Sequence, residues 1–332
     1  MKTTYALALA VIGVNPLAAQ VAGLTGTLVV TNKSPSTATI IDVASGRALA
    51  TLPTGNNPHE VVLSRDGRTA VVTDYGSGNA PTLTVIDVPG KRVTRTISLG
   101  QYTGPHGIVY LPGDSLVAVT SERTNHVVIV AVAAGEIRKA IPTTKRGSHM
   151  VGVTSDGRRA WTGDMADHTV SELDVVAGTY LRSIAVPNMP EAINVTPDGR
   201  EVWVGSNATG KVSVVDPATG IVTTAAEGVS WPYRVLFTPD MKTVVIPDLR
   251  NNEVRFLDRA TRRELSRLSL PGAGPQGVTI TPDGRYLLES LSTQARVMVV
   301  DMRTRQVVGH IPAGETPDGI AYTPNVMTGN RE

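Results

Sequence analysis

The chain has 332 residues, 41% of them hydrophobic and 18% charged, with 32 glycines and 22 prolines, which is an ordered and turn-rich composition rather than a disordered one. A formal net charge of +2 is too small to argue for a nucleic-acid partner or an anionic membrane surface. With no cysteine there is no disulfide and no thiol nucleophile, so the fold has to hold by burial and closure alone.

Taken in order, the chain opens with the features of a targeting segment. Lys2 supplies a positive charge, Tyr5 to Val14 an apolar run, and Asn15-Pro16 a break before small residues. That run is too short to span a bilayer, and no later stretch is long and apolar enough to do so. Residues 1–23 are therefore expected to be a signal peptide and 24–332 the mature domain, working in the periplasm or outside the cell.

From residue 58 onward one stretch keeps returning. It begins as PHEVVLSRDGR at Pro58 and recurs as PHGIVYLPGD from Pro105, SHMVGVTSDGR from Ser148 and PEAINVTPDGR from Pro190. PYRVLFTPDMK from Pro232, PQGVTITPDGR from Pro275 and PDGIAYTPN from Pro317 complete the series. The second residues of these stretches lie at 59, 106, 149, 191, 233, 276 and 318, so the period stays between 42 and 47 residues. A fixed period of that length is the mark of a solenoid, propeller or array. Within one unit, Val61 to Leu63, Ala70 to Asp74, Leu83 to Asp87 and Val93 to Leu99 are four short runs rich in β-branched residues, separated by Gly, Pro and Asp. Four antiparallel strands per period make a propeller blade. Residues 27–52 hold only three such runs, and Asp318 to Thr323 is a lone innermost run. Joined, they make one composite blade, so the expectation is an all-β, seven-bladed propeller of four-stranded antiparallel blades, closed by the C-terminal strand.

Leu28-Val29-Val30-Thr31-Asn32, Thr39-Ile40-Ile41-Asp42 and Ala50-Thr51-Leu52-Pro53-Thr54-Gly55 resemble the blade of the YVTN-repeat family. The likeness continues through Val72-Thr73-Asp74, Val85-Ile86-Asp87 and Val214-Val215-Asp216 and covers essentially the whole mature chain, with Val or Trp (Trp161, Trp203) at most positions of the family's tyrosine. The resemblance implies a propeller like those of lactonases, the haem d1 domain of nitrite reductase and quinoprotein amine dehydrogenase subunits. That breadth leaves the function open.

A residue repeated in every blade serves the blade, whereas one that varies at an equivalent place can serve a site. Asp42, Asp87, Asp174, Asp216, Asp258 and Asp301 end the third strands and read as turn caps, as do Asp66, Asp156, Asp198, Asp240 and Asp283 after the innermost strands. The residues opening the innermost strands are polar but different: His59, His106, His149, Glu191, Tyr233, Gln276 and Asp318. The second strands end in a further polar set that includes Asp74, Asp164, Asp248, Ser121, Ser206 and Ser290, and both sets are expected to converge on one mouth of the central channel. Arg234 at that mouth could grip a carboxylate or phosphate.

Two functions follow from this reading. In the first, the mouth binds a small ligand or a protein partner, with no nucleic acid and a monomeric chain. In the second, His59, His106 and His149 hold a divalent metal for a lactonase, hydrolase or lyase, with His106, Glu122, Glu191 and Arg234 as candidate catalytic groups. A haem-holding role lacks an attachment cysteine, and no phosphate loop or serine elbow is present.

Overall fold

The computed structural model describes residues 21–76 and 81–327. Seven four-stranded antiparallel sheets stand around a central axis as blades. Blade 1 is Thr27–Asn32, Thr37–Asp42 and Arg47–Pro53, with Pro317–Thr323 as its innermost strand. Blades 2 to 7 follow in sequence, their innermost strands starting at Pro58, Pro105, Ser148, Pro190, near Pro232, and at Pro275. The expected closure is present: Thr27 pairs with Thr323, Leu28 with Tyr322 and Val30 with Ile320. No helix among the described residues is long and apolar enough to cross a membrane.

Why the second and third strands read as unbroken apolar runs is now plain. Val127-Val128-Ile129-Val130 is buried along its whole length because each face of a blade is covered by a neighbouring blade. The fourth strands lie outermost and alternate, as Arg92–Ser98 does. Seven apolar clusters, each combining residues of adjoining blades, form the core, and Trp161 and Trp203 are fully buried within two of them. Third-strand aspartates cap turns as expected: Asp174 accepts from the Ala177 N–H at 2.8 Å and Asp258 from Thr261 at 2.7 Å.

Two features add to the expected organisation. Val21 packs against the cluster between blades 7 and 1, and the Tyr286 hydroxyl donates to the Ala22 carbonyl at 3.2 Å. The described residues are thus in contact with the propeller from Val21 onward. The rest of the expected signal segment, residues 1–20, lies outside the described residues.

The innermost strands also share a register shift just after their first residue, as between Pro58 and Val61 and between Pro105 and Ile108. A bulge there re-aims the two residues it contains. Second-strand threonines support it: Thr73 Oγ1 accepts from the Glu60 N–H at 3.0 Å, and Thr120 Oγ1 accepts from Gly107 at 2.8 Å and lies within 2.5 Å of the His149 carbonyl in the next blade. Thr120 thereby stitches blade 3 to blade 4, and Thr31 does the same from blade 1 to blade 2 by donating to the His59 carbonyl at 2.9 Å. In blade 6 the irregularity is larger, leaving only Leu236–Phe237 as strand and Pro232 as an isolated partner of Asp248. Arg234 sits in that break.

Candidate functional site

The seven variable residues form one ring, each at the bulge of an innermost strand or, for Tyr233, at the break in blade 6. His106, His149, Glu191, Tyr233 and Asp318 are buried, while His59 and Gln276 are partly so. The ring members touch around the axis. His59 and His106 meet edge to face at 4.7 Å between centroids, and His106 lies over His149 at 3.8 Å and 34°. Tyr75, on the loop after the second strand of blade 2, closes against His59 at 4.6 Å and His106 at 5.4 Å. Across the ring, the Tyr233 hydroxyl donates to Asp318 Oδ1 at 3.0 Å, and Lys33 pairs with Asp318 Oδ2 at 2.8 Å.

Proton affinities within the ring diverge. Burial drives His59 down to about 4 and His106 well below the ordinary histidine value, so both are neutral at pH 7. His149 suffers the same burial, but its Nδ1 hydrogen bond to Glu122 Oε2 at 2.9 Å and the charge of Glu191 outweigh it and raise its pKa. Burial pushes Glu191 up against the opposing pull of His149 and a hydrogen bond from Asn207. Asp318 stays low because Lys33, His59 and Arg234 together overcome its burial.

Below the ring, Arg234 of blade 6 spans the axis to an ion pair with Glu60 of blade 2, while its Nη1 donates to the Tyr233 carbonyl at 2.6 Å. The mouth is thus a pit floored by an ion pair rather than an open bore. The other inner residues at this level include Gly107, Gly277 and Gly319, and a Cβ on any of them would strike the backbone of the next innermost strand. Small residues there let the strands crowd together beneath the ring.

Several expected site residues are elsewhere occupied. Asp74 is turned into its own blade, accepting from Thr82 Oγ1 at 2.7 Å and Thr84 Oγ1 at 2.9 Å. Asp164 does the same with Thr169 at 2.8 Å and Ser171 at 2.7 Å, and Asp248 caps the Ser230 and Trp231 N–H groups at 2.8 and 2.9 Å. Asp74 and Asp164 are thus held by their own third strands and Asp248 by the adjoining loops, and all three are buried there. Blade 7 holds Leu291, not Ser290, at their position, since Leu291 pairs with Pro275 as Asp74 pairs with Pro58. The histidine trio is brought together through its rings, edge to face between His59 and His106 and tilted face to face between His106 and His149. Among the described residues no group of three or more His, Asp, Glu or Cys side chains is placed to hold a metal ion. His126 bonds the Thr124 carbonyl at 2.6 Å and His168 accepts from the Met189 N–H at 3.2 Å, so neither is merely solvated.

Sequence reasoning missed Glu60, Tyr75 and Asn207. Tyr75 and Asn207 each follow the last residue of a second strand directly, a spacing that could have drawn attention to them. Glu60 shares its bulge with His59, and no pattern in the sequence pairs it with Arg234.

Comparison with known proteins agrees on architecture. A family model described as YNCE-like beta-propeller matches residues 119–261. Hydrazine synthase of Kuenenia stuttgartiensis is similar in fold, with a TM-score of 0.67 at 19% identity over 80% of this chain and 90% of that one. A protein of unknown function from Desulfotomaculum acetoxidans superposes with a TM-score of 0.74 at 14% identity, over 90% of this chain and 99% of the other. A search of curated proteins finds no match. At such identities the structural likeness carries the fold alone.

Proposed function

We infer, for a chain that fits a YVTN-type seven-bladed propeller family, that its work is to bind a small polar ligand in the pit over the channel. The observation that carries this reading is the ring itself. All seven blades place a polar side chain at the equivalent position, five residue types among them and most of them buried, where repetition of the blade demands no such variety. Neutral His59 and His106, a protonation-prone His149 and the carboxylates of Glu191 and Asp318 give a ligand both donors and acceptors within a few ångströms. Export to the periplasm or beyond belongs to the same proposal, supported by Lys2 and the apolar run that follows.

The test is native mass spectrometry of protein purified without denaturation, followed by release of whatever co-purifies. A small molecule retained by the parent and by Asp283→Ala, on the opposite face, but lost in His149→Ala supports the reading. Equal retention in His149→Ala refutes it.

One observation favours a second reading, acid–base chemistry in a hydrolase or lyase. Glu122 fixes His149 through Nδ1 and leaves Nε2 free, 4.0 Å from Glu191 Oε1. Turnover with a pH profile that loses its histidine limb in Glu122→Gln would favour it over binding alone.

A further inference from the structure

The ligand's chemistry can be narrowed from how the pit is polarised, an argument that rests on the binding reading above. One arc, from blades 2 to 4, carries imidazoles, with His149 drawn toward the cation by Glu122. Arg123 stands beside that arc, exposed, stacked at 4.6 Å on Tyr75 and bonded to the Gly76 carbonyl at 2.9 Å. Among the described residues it makes no ion pair. The opposite arc, from blades 5, 7 and 1, carries the acceptors Glu191, Gln276 and Asp318.

Three buried atoms in this ring lack a hydrogen-bond partner; Asp318 Oδ2 is matched by the Lys33 ion pair, which leaves His106 Nδ1 on the first arc and Gln276 Oε1 on the second. His106 as a whole is only 3% exposed. An unpaired buried polar atom costs about 1–3 kcal/mol, so having one on each arc is expensive unless a ligand engages both. Charge bookkeeping then restricts that ligand. Lys33 is already matched by Asp318, Arg234 by Glu60 and His149 by Glu122. A bare anion could be matched by Arg123 but would leave Glu191 without a partner, and a bare amine could be matched by Glu191 but would leave Arg123 without one. A zwitterion matches both. Where blades 4 and 5 meet, His149 Nε2 of one arc stands 4.0 Å from Glu191 Oε1 of the other, so opposite charges on one ligand need be only a carbon apart.

We propose that the pit binds a small α-amino acid, its carboxylate toward His106, His149 and Arg123 and its ammonium toward Glu191 and Gln276. The ammonium restores the charge that burial suppresses on Glu191, and the carboxylate meets donors on the imidazole arc.

The experiment takes the full chain through thermal shift and calorimetry with each of the twenty protein L-amino acids at millimolar concentration. For whichever binds, the matching α-hydroxy acid and the decarboxylated amine are measured too. The amino acid is expected to bind about tenfold or more tightly than either counterpart, a difference of about 1.4 kcal/mol. Glu191→Gln, close to isosteric, should erase the preference for amino over hydroxy acid, and Gln276→Leu should weaken the amino acid without unfolding the protein. Should none of the twenty bind, or should the hydroxy acid or amine bind as well, the amino-acid assignment is overturned. If instead an amino acid binds but His149→Ala and Glu191→Gln both leave its affinity unchanged, the pit itself is the wrong site and the binding reading falls with it.

Discussion

Arg234→Met puts the architecture of the pit to its most direct test. Arg234 and Glu60 keep only 10% and 13% of their side-chain surface, and they join blades on opposite sides of the axis. Burial already depresses the arginine to about 10, so its charge is held in place by neighbouring carboxylates, Asp318 and Glu289 among them. Removing one member of a buried pair strands the other, which costs about 3–5 kcal/mol. Glu60 retains some solvent contact, so the lower end is expected, roughly 3 kcal/mol. For a domain this large that corresponds to a fall in Tm of about 5–10 °C. Urea unfolding of the single variants Arg234→Met and Glu60→Leu and of the double variant closes a mutant cycle. The double variant should recover much of the loss, because a like-sized apolar pair leaves no stranded charge. A single-variant cost under about 1 kcal/mol, or a double variant no better than Arg234→Met, would refute the account of the floor as a bridge across the channel.

Other expectations are shorter. Burial raises both Asp74 and Asp164 to about 6, so each folded carboxyl holds its proton more tightly than the unfolded chain does. Their contribution to stability is full below about pH 4 and is lost as pH rises toward 6, on the order of 2–3 kcal/mol each. Asp74→Asn should flatten that slope in urea titrations at pH 4 to 7 and leave stability at pH 7 unchanged or higher. His149 also has a raised value, so its stabilising charge is complete below pH 6.5 and fades as pH climbs through the folded value, a slope that Glu122→Gln should diminish. Gly319→Ala would drive a methyl into the His59 and Glu60 backbone, and overpacking at that seam should cost about 1–3 kcal/mol by thermal unfolding. Should the protein be exported, N-terminal sequencing of the processed form is expected to find Val21 retained, given its packing against the core.

The repeat at 42 to 47 residues was enough to count the blades and foresee their closure, because the blades' spacing and turn aspartates are written into every unit. It also located the ring, since His59 through Asp318 break the repetition at one position. What it could not supply is the direction of a side chain. Asp74 and His59 are equally polar and near the same end of the blade, but the pleat turns Asp74 toward Thr82 and Thr84 while a bulge turns His59 to the axis. Blade 7 misled the alignment by one residue because Leu291 replaces a polar group and Ser290 stands beside it. The Glu60–Arg234 contact joins residues 174 positions apart. No local pattern reports such a pairing.

Asp318 belongs to the last of the propeller's strands in chain order, yet it anchors Lys33 of the first blade and Tyr233 of blade 6. A polypeptide cut short before Pro317 would therefore lack both its fastening and one wall of its binding pit in a single stroke. Occupancy of the pit by any ligand would then serve as a certificate that the propeller had been made through its closing strand.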